Sequence, residues 1–133
     1  MLFRSLARAG GSQPVPGEYD QLNIGTSAAT DGTISLGNSN LVVTAPGGLQ
    51  NTDIFFIMIN DGVDAVTGTF SGKTQGSTFV VNGYSLTISY TANSTNGTFS
   101  GGNDIALMVP EPTGVALMLG GLATLLCGRR RRP

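Results

Sequence analysis

Short runs of alternating apolar and polar residues, separated by clusters of turn-forming residues, occupy most of the chain between residues 19 and 109. Alternation with a period of two is typical of a β-strand that buries one face, and clusters of Gly, Asn, Asp and Pro mark the turns between strands. The pattern therefore predicts strands over residues 19–24, 33–36, 40–45, 54–59, 66–70, 78–81, 84–90 and 104–109.

Two of these runs carry additional information. Residues 54–59 read Ile-Phe-Phe-Ile-Met-Ile, which is apolar on both faces and therefore predicts an inner strand. Asn82 and Gly83 separate two alternating runs, and this dipeptide supplies the two positive φ angles that a two-residue type I′ turn requires. Residues 78–90 are therefore predicted to form a β-hairpin.

The spacing of the strands narrows the fold class. Strands this short, recurring every ~8–12 residues, are typical of a β-sandwich, a barrel or a β-solenoid. The many Gly and Asn residues favour a solenoid, because its tight corners need residues that tolerate a left-handed backbone. We expect a mainly β protein whose body, residues 19–109, is the end of a short-strand β-solenoid or is sandwich-like. Residues 1–18 are expected to be disordered, and a solenoid end would expose a row of apolar residues within residues 19–43.

The pattern changes after residue 109. Pro110 and Pro112 flank Glu111, and two prolines in three residues stop a strand or a helix from continuing. Residues 113–128 carry no charge and, as a helix, would be about 24 Å long at ~1.5 Å per residue. This length is short of the ~30 Å hydrocarbon core, but flanking arginines that reach the headgroups reduce the mismatch.

The uncharged segment therefore predicts one C-terminal transmembrane helix in the lipid bilayer, with a buried core helix as the alternative. Its membrane-anchoring side chains are Val115, Leu117, Leu119, Leu122, Leu125 and Leu126.

Charge is distributed unevenly along the chain. The 7 Lys and Arg residues nearly balance the 8 Asp and Glu residues, and the net charge is −1. Residues 9–128, however, contain all the acids and a single base, Lys73. By the positive-inside rule a basic C-terminal flank is cytoplasmic and the acidic body lies on the outer side of the membrane. This flank consists of Arg129, Arg130, Arg131 and Arg132. The acidic body also argues against nucleic-acid binding, which relies on a basic surface.

The composition excludes several kinds of chemistry. The chain has no His and a single Cys, so it cannot form an intrachain disulfide, a Cys/His zinc site or an imidazole-dependent triad. An Asp-dependent secreted hydrolase is an alternative, although no stretch of sequence pairs two carboxylates beside glycan-stacking aromatics. A binding module for glycans or ice is another, although Thr67 and Thr69 form the only Thr-x-Thr pair. We expect no enzymatic activity, no catalytic residue and no cofactor.

Two loops carry oxygen atoms that could ligate a metal. Gly101-Gly-Asn-Asp104 resembles half of the calcium-binding nonapeptide of toxin-type β-rolls, which needs stacked copies. Residues 60–64, Asn-Asp-Gly-Val-Asp, present oxygens but lack the downstream Glu of an EF-hand. Both loops are interpreted as turns, and no metal site is predicted.

The C-terminal order of Pro-Glu-Pro, an apolar segment and an Arg cluster resembles the PEP-CTERM sorting signal. The resemblance covers residues 109–133, with Val109, Pro110, Glu111 and Pro112 as the processing signal. It implies that an exosortase-type membrane enzyme recognises the Pro-Glu-Pro and detaches the tail. It also implies an exported protein that is anchored in the inner membrane before processing and then reaches the cell surface or the extracellular space.

The body is similar to the C-terminal end of surface proteins that carry autotransporter-associated β-strand repeats. The matching pieces, in order, are Tyr19-Asp-Gln-Leu22, Leu36-Gly37, Leu41-Val-Val43, Ile59-Asn-Asp-Gly62, Val66-Thr-Gly-Thr-Phe70, Gly83-Tyr-Ser-Leu-Thr-Ile-Ser-Tyr90 and Gly102-Asn-Asp-Ile-Ala-Leu107. The similarity implies a right-handed parallel β-helix with an antiparallel cap, and a surface role without catalysis. Residues 1–11 lack the apolar core of a signal peptide, so we expect the chain to be a C-terminal fragment of a larger protein.

Overall fold

The structure is a computed structural model that describes residues 2–5, 14, 18–24, 33–60 and 62–111. Within these ranges the chain forms strands and turns and no helix, so the prediction of a mainly β protein is confirmed. None of the described segments is a helix long and apolar enough to span a bilayer. The predicted transmembrane helix with its anchoring side chains, and the basic flank at residues 129–132, lie outside the described residues.

The strands of the described residues form two sheets. They are β1 Leu2–Ser5, β2 Leu22–Ile24, β3 Leu41–Thr44, β4 Ile54–Asn60, β5 Thr78–Val81, β6 Tyr84–Ala92 and β7 Asp104–Met108. The larger sheet has the order β2-β4-β7-β6-β5, and the smaller one pairs β1 with β3. The strand β4 therefore has a neighbour on each side, which confirms the prediction of an inner strand at residues 54–59.

The core lies against one face of the larger sheet. Phe55 of β4 is paired with Leu107 of β7, which is in turn paired with Ile88 of β6, so these side chains form one row across three strands. All three are fully buried. Loop residues cover the row from the other side, and the ring of Tyr19 packs edge-on against that of Phe55 at 5.4 Å. The other buried residues of this cluster are Ile34, Leu36, Leu41, Ala45, Leu49, Ile57, Met58, Phe70, Leu86, Tyr90, Ile105 and Val109.

In the described part of the chain, parallel pairing joins early and later segments at three places. Leu2 of β1 is paired with Leu41 of β3, and Leu22 of β2 is paired with Met58 of β4. A further parallel bridge joins Ser35 to Thr67, whose N–H donates to Ile34 O at 2.8 Å. Each partner follows roughly 30–40 residues later, within the ~20–45 residues of a solenoid repeat. The remaining pairings β4–β7, β7–β6 and β6–β5 are antiparallel, and the structure does not show a solenoid.

The predicted hairpin is confirmed by the pairing of β5 with β6. Val81 is paired with Tyr84, and the two turn residues between them, Asn82 and Gly83, have φ angles of 48° and 84°. Both angles are positive, as a type I′ turn requires. The Asn82 amide also donates to Ala45 O at 2.8 Å, so the turn is attached to the loop that follows β3.

Some predicted strands are shorter than expected. Residues 33–36 and 66–70 contribute only isolated bridges, because left-handed residues interrupt the extended backbone at Gly37, Asn38 and Gly68. In the predicted strand 19–24, only residues 22–24 pair with a neighbour. Residues 2–5, which belong to the segment 1–18 that is expected to be disordered, form the strand β1 and pair with β3.

A solenoid end was expected to expose a row of apolar side chains within residues 19–43. This expectation is wrong for the described part of that stretch. Tyr19, Ile34, Leu36 and Leu41 are buried in the core, and only Leu22 is exposed, at 38%. A larger exposure occurs on the edge strand β5, where Val80 is 71% exposed on the outer face of the hairpin. The apolar side chains that a solenoid end would expose are therefore buried here, because the loops that carry them pack against the inner face of the larger sheet.

We expect Gly83→Ala to destabilise the protein by about 1–2 kcal/mol, the cost of a left-handed backbone for a residue with a Cβ. An added Cβ would meet no atom within 4 Å, so the loss comes from the backbone conformation alone. Urea unfolding followed by circular dichroism measures the change, with Ser85→Ala on the same exposed hairpin as control. A Gly83→Ala variant as stable as the control would contradict the type I′ assignment.

The two most buried tyrosines should make the fold sensitive to alkali. The Tyr90 hydroxyl donates to Lys73 O at 2.6 Å and accepts from Phe70 N at 3.0 Å, and burial raises the pKa of its phenol. Burial likewise raises the pKa of Tyr19. The folded state then holds these protons more tightly than the unfolded state, so their contribution to stability is complete below about pH 10 and is lost as the pH rises further.

The measurement is the free energy of urea unfolding between about pH 8 and 11. Tyr90→Phe should lower stability at pH 8 by about 1–3 kcal/mol, because two backbone groups lose their partner. It should also reduce the loss of stability above pH 10, and the double variant with Tyr19→Phe should reduce that loss further. An alkaline slope that is identical in all three proteins would show that these phenols do not cause it.

Candidate functional site

The first candidate site is the place where backbone pairing with the body ends, residues 109–111, which we call the exit. The Val109 side chain is buried, its N–H donates to Asp53 O at 3.0 Å, and its carbonyl accepts from Thr52 N at 2.7 Å. Pro110 is half-buried and Glu111 is exposed, while Pro112 lies outside the described residues. The sheet-like pairing therefore ends at Val109, where the next residue is a proline that has no N–H to donate.

A turn at residues 50–53 holds this exit in place. The buried Asp53 carboxylate accepts from Gln50 N at 2.7 Å, which closes the turn. Thr52 within it has a φ of 71°, an uncommon conformation for a β-branched residue. Its N–H is the group that binds the Val109 carbonyl. The left-handed Thr52 and the buried Asp53 together fix the backbone just before Pro110.

A groove of about 560 Å³ lies beside the exit. Its walls come from the turn at Asn51, from the outer face of the β5–β6 hairpin and from Val109, Pro110 and Glu111. The hydroxyls of Thr78 and Thr87 are 3.1 Å apart on that face. The exit groove thus combines hydroxyl, amide and carboxylate groups, and Glu111 is its acidic member.

The outer face of β6 carries a row of alternating Ser and Thr hydroxyls, which a Thr-x-Thr criterion does not detect. Ser85, Thr87, Ser89 and Thr91 alternate along the strand, with Ser89 fully buried. The Gln75 amide donates to Ser89 Oγ at 3.2 Å and to Thr91 Oγ1 at 3.5 Å, and its carbonyl accepts from the backbone of β6. Gln75 therefore covers part of the row, which is not an open flat face of the kind that binds ice.

The opposite end of the sheet forms a second candidate site. A cleft of about 600 Å³, the loop cleft, opens between three loops that follow β4, follow β6 and precede β7. Its described lining residues are Ile59, Asn60, Gly62, Val63, Asn93, Ser94, Thr95, Asn96, Gly101, Gly102, Asn103 and Asp104. The two oxygen-bearing loops that the sequence presented as separate turns are therefore neighbours in the structure.

The carboxylate of Asp104 joins these loops. It is 5% exposed, its Oδ1 accepts from Asn60 N at 2.8 Å, and its Oδ2 accepts from Ser94 N at 2.7 Å. The amides of Asn60 and Asn103 both donate to Asp64 O, at 2.6 and 3.0 Å. Side chains of one loop thus hydrogen-bond to the backbone of another. Residues that are far apart in sequence therefore form one polar cluster.

The aspartates of the described residues fall into two classes. Asp53 and Asp104 are buried and accept hydrogen bonds from backbone N–H groups, whereas Asp20 and Asp64 are exposed. Within the described ranges no three His, Cys, Asp or Glu side chains gather closely enough to hold a metal ion. The buried carboxylates therefore organise loops, and any ligand at the loop cleft would rely on amide and carbonyl oxygens as well.

Asp104→Asn should destabilise the protein by about 1.5–3 kcal/mol, because an amide N–H₂ would then face a backbone N–H in place of a charged acceptor. The control is Asp64→Asn, which alters an exposed carboxylate on the adjoining loop and should change stability by less than about 0.5 kcal/mol. Urea unfolding of both variants measures the difference. Equal stabilities would mean that the Asp104 carboxylate does not hold the loops.

Comparison with known proteins adds no further constraint. No protein-family model, curated protein or solved structure is significantly similar to the chain. Function is therefore argued from the chemistry and geometry of the two sites rather than from fold analogy.

Proposed function

We propose that this chain is the C-terminal module of an exported, non-catalytic surface or extracellular-matrix protein. In this proposal residues 110–133 form a sorting and anchoring tail of the PEP-CTERM type, which an exosortase-type membrane enzyme recognises and removes. Pro110, Glu111 and Pro112 are then substrate residues of that enzyme and not catalytic residues of this protein.

The observation that carries the proposal is the end of backbone pairing at Val109, directly before the Pro-Glu-Pro. Backbone hydrogen bonds hold the chain to the body up to this residue, and exposure rises from Val109 through Pro110 to Glu111. A membrane enzyme that reads Pro-Glu-Pro needs an accessible, extended backbone, which a paired strand or a helix would not offer. The two prolines keep β7 from extending into the recognition segment.

The sequence of the tail supports the same function. An uncharged segment at residues 113–128, followed by Arg129, Arg130, Arg131 and Arg132, has the order of a membrane span with a cytoplasmic flank. The acidic residues all precede this segment, so the body and the flank carry opposite charges. Such an arrangement keeps the body on the outer side and the arginines in the cytoplasm until the tail is cut.

The three parallel pairings support a structural role for the body as a solenoid end. Partners that follow roughly 30–40 residues later have the spacing of stacked coils. The antiparallel strands β7, β6 and β5 would then close one end as a cap. β1 and β2 are the outermost strands of their sheets among the described residues, so each has an edge that could pair with a preceding coil.

The alternative functions receive less support from the described residues. A hydrolase would need two carboxylates in one cleft, but the described lining of the loop cleft contains one carboxylate, Asp104, and that of the exit groove contains one, Glu111. A glycan- or ice-binding face would need an open array of hydroxyls, but Gln75 covers part of the row on β6. Neither alternative accounts for the exit at Val109 or for the Arg flank.

The test follows a C-terminal epitope tag on the full chain, fused behind a working signal peptide, in a host that carries an exosortase. We expect the parent to enter the membrane fraction and then lose its tag. Replacing Pro110, Glu111 and Pro112 with alanines should leave insertion intact and block loss of the tag. Glu111→Gln tests the carboxylate alone, with Glu18→Gln, the same change at the other Glu of the chain, as matched control.

A second set of variants separates anchoring from recognition. Neutral replacements of Arg129, Arg130, Arg131 and Arg132 should weaken retention in the membrane. Without the positive charges, nothing keeps the C-terminus on the cytoplasmic side. Loss of the tag at the same rate in the parent and in the alanine variant would refute the sorting signal. A parent that never enters the membrane fraction would refute the anchor.

A further inference from the structure

A residue in the wall of the loop cleft carries a buried hydrogen-bond acceptor that has no partner among the described residues. Asn60 is 7% exposed, and its Oδ1 has no hydrogen bond in the part of the chain that the structure describes. The Nδ2 of the same amide donates to Asp64 O at 2.6 Å. Turning the amide over would place Oδ1 against that carbonyl oxygen, so the orientation of the amide is fixed. A buried oxygen that is fixed in place and has no partner costs free energy, which a cation or a hydrogen-bond donor bound to it would remove.

A carboxylate lies in the wall of the same cleft. Each oxygen of Asp104 accepts one backbone N–H, from Asn60 and from Ser94, while a carboxylate offers about four lone-pair sites. Both oxygens therefore retain capacity for a further ligand. The described lining of the cleft includes this carboxylate and no Lys or Arg. The cleft is thus an environment that favours a cation.

We propose that the loop cleft binds a calcium ion through Asn60 Oδ1 and the carboxylate of Asp104. Calcium takes six to eight oxygen ligands in flexible geometry and accepts amide, carbonyl and water oxygens beside a carboxylate. Water from the open side of the cleft completes the shell. Magnesium is a poorer match, because it requires a near-ideal octahedron and gives up its own water reluctantly.

The ion would join the three loops that Asp104 and the two asparagines already connect. Asn60 belongs to the end of β4, Ser94 follows β6, and Asp104 begins β7. A ligand held by Asn60 and Asp104 opposes separation of these elements, so calcium would raise the stability of the body. The site does not depend on the proposed function of the tail, and the two can fail separately.

The experiment is a calcium titration of the full chain, purified in mild detergent and freed of metal with EDTA. We expect Ca²⁺ to bind with a Kd of about 10⁻⁴–10⁻³ M, as in extracellular calcium modules, and to raise the Tm. Mg²⁺ at the same concentrations should do neither. Amide resonances of Asn60, Ser94 and Asp104 in nitrogen-15 NMR spectra should move with added calcium, which places the ion in the cleft.

Asn60→Asp supplies a second carboxylate and provides a gain-of-function test. Without calcium it should lower the Tm, because a buried charge then lies near Asp104 and a carboxylate oxygen replaces the Nδ2 donor that faces Asp64 O. With calcium it should bind at least about tenfold tighter. The matched control is Asn51→Asp, the same change in an exposed turn that borders the exit groove and not the loop cleft. It should bind calcium as the parent does.

The titration of the parent chain decides the proposal even where Asn60→Asp does not fold. A Tm and amide spectrum that stay unchanged up to about 10 mM Ca²⁺, tenfold above the weakest expected Kd, would overturn the site. Equal calcium affinities of Asn60→Asp and Asn51→Asp would overturn it as well. Equal responses to Mg²⁺ and Ca²⁺ would replace the assignment with unspecific binding of cations to an acidic surface.

Discussion

The burial of one apolar row across three strands fixes the rest of the structure. Phe55, Leu107 and Ile88 face the core from β4, β7 and β6, and each is fully buried. Burying a side chain of this size contributes about 1.5–3 kcal/mol, and a slip of β7 by one residue would turn Ala106 inward instead. The register of β7 is therefore strongly determined. Both candidate sites depend on that register, because Asp104 begins this strand and Val109 directly follows it.

The two ends of β7 differ in regularity. Toward the exit the pairing continues without interruption from Ala106 to Met108, and Val109 prolongs it by bonds to the turn at residues 50–53. Toward the loop cleft the register shifts on both sides of β7, between Phe56 and Met58 on β4 and between Ser89 and Ala92 on β6. Bulges interrupt a ladder and re-aim its backbone groups. At this irregular end the carboxylate of Asp104, and not a strand carbonyl, accepts the N–H groups of Asn60 and Ser94.

The sequence predicted the parts of the fold that depend on local chemistry. The hairpin around Asn82 and Gly83 follows from alternation and φ preferences within a few residues. The inner strand at residues 54–59 and the last strand before Pro110 follow from short apolar runs bounded by turn residues. β1 could not be found in this way, because four residues carry too little periodicity and their partner strand begins only at Leu41. The loop cleft was missed for a similar reason. Asn60 and Asp104 were each recognised as members of a turn, but their contact spans 44 positions, and no local pattern encodes it.

The place of β7 in the sheet has a consequence for how the protein acquires its fold. This strand lies between β4 and β6, yet it is the last strand of the described chain to be synthesised. Until it arrives, β4 and β6 have no common neighbour, and the buried row lacks its middle member. Non-local pairings of this kind are slow to form, so the nascent chain stays open until residue 108 has emerged. For a chain that is exported as we propose, this topology would delay closure of the core until the segment beside the Pro-Glu-Pro has crossed the membrane.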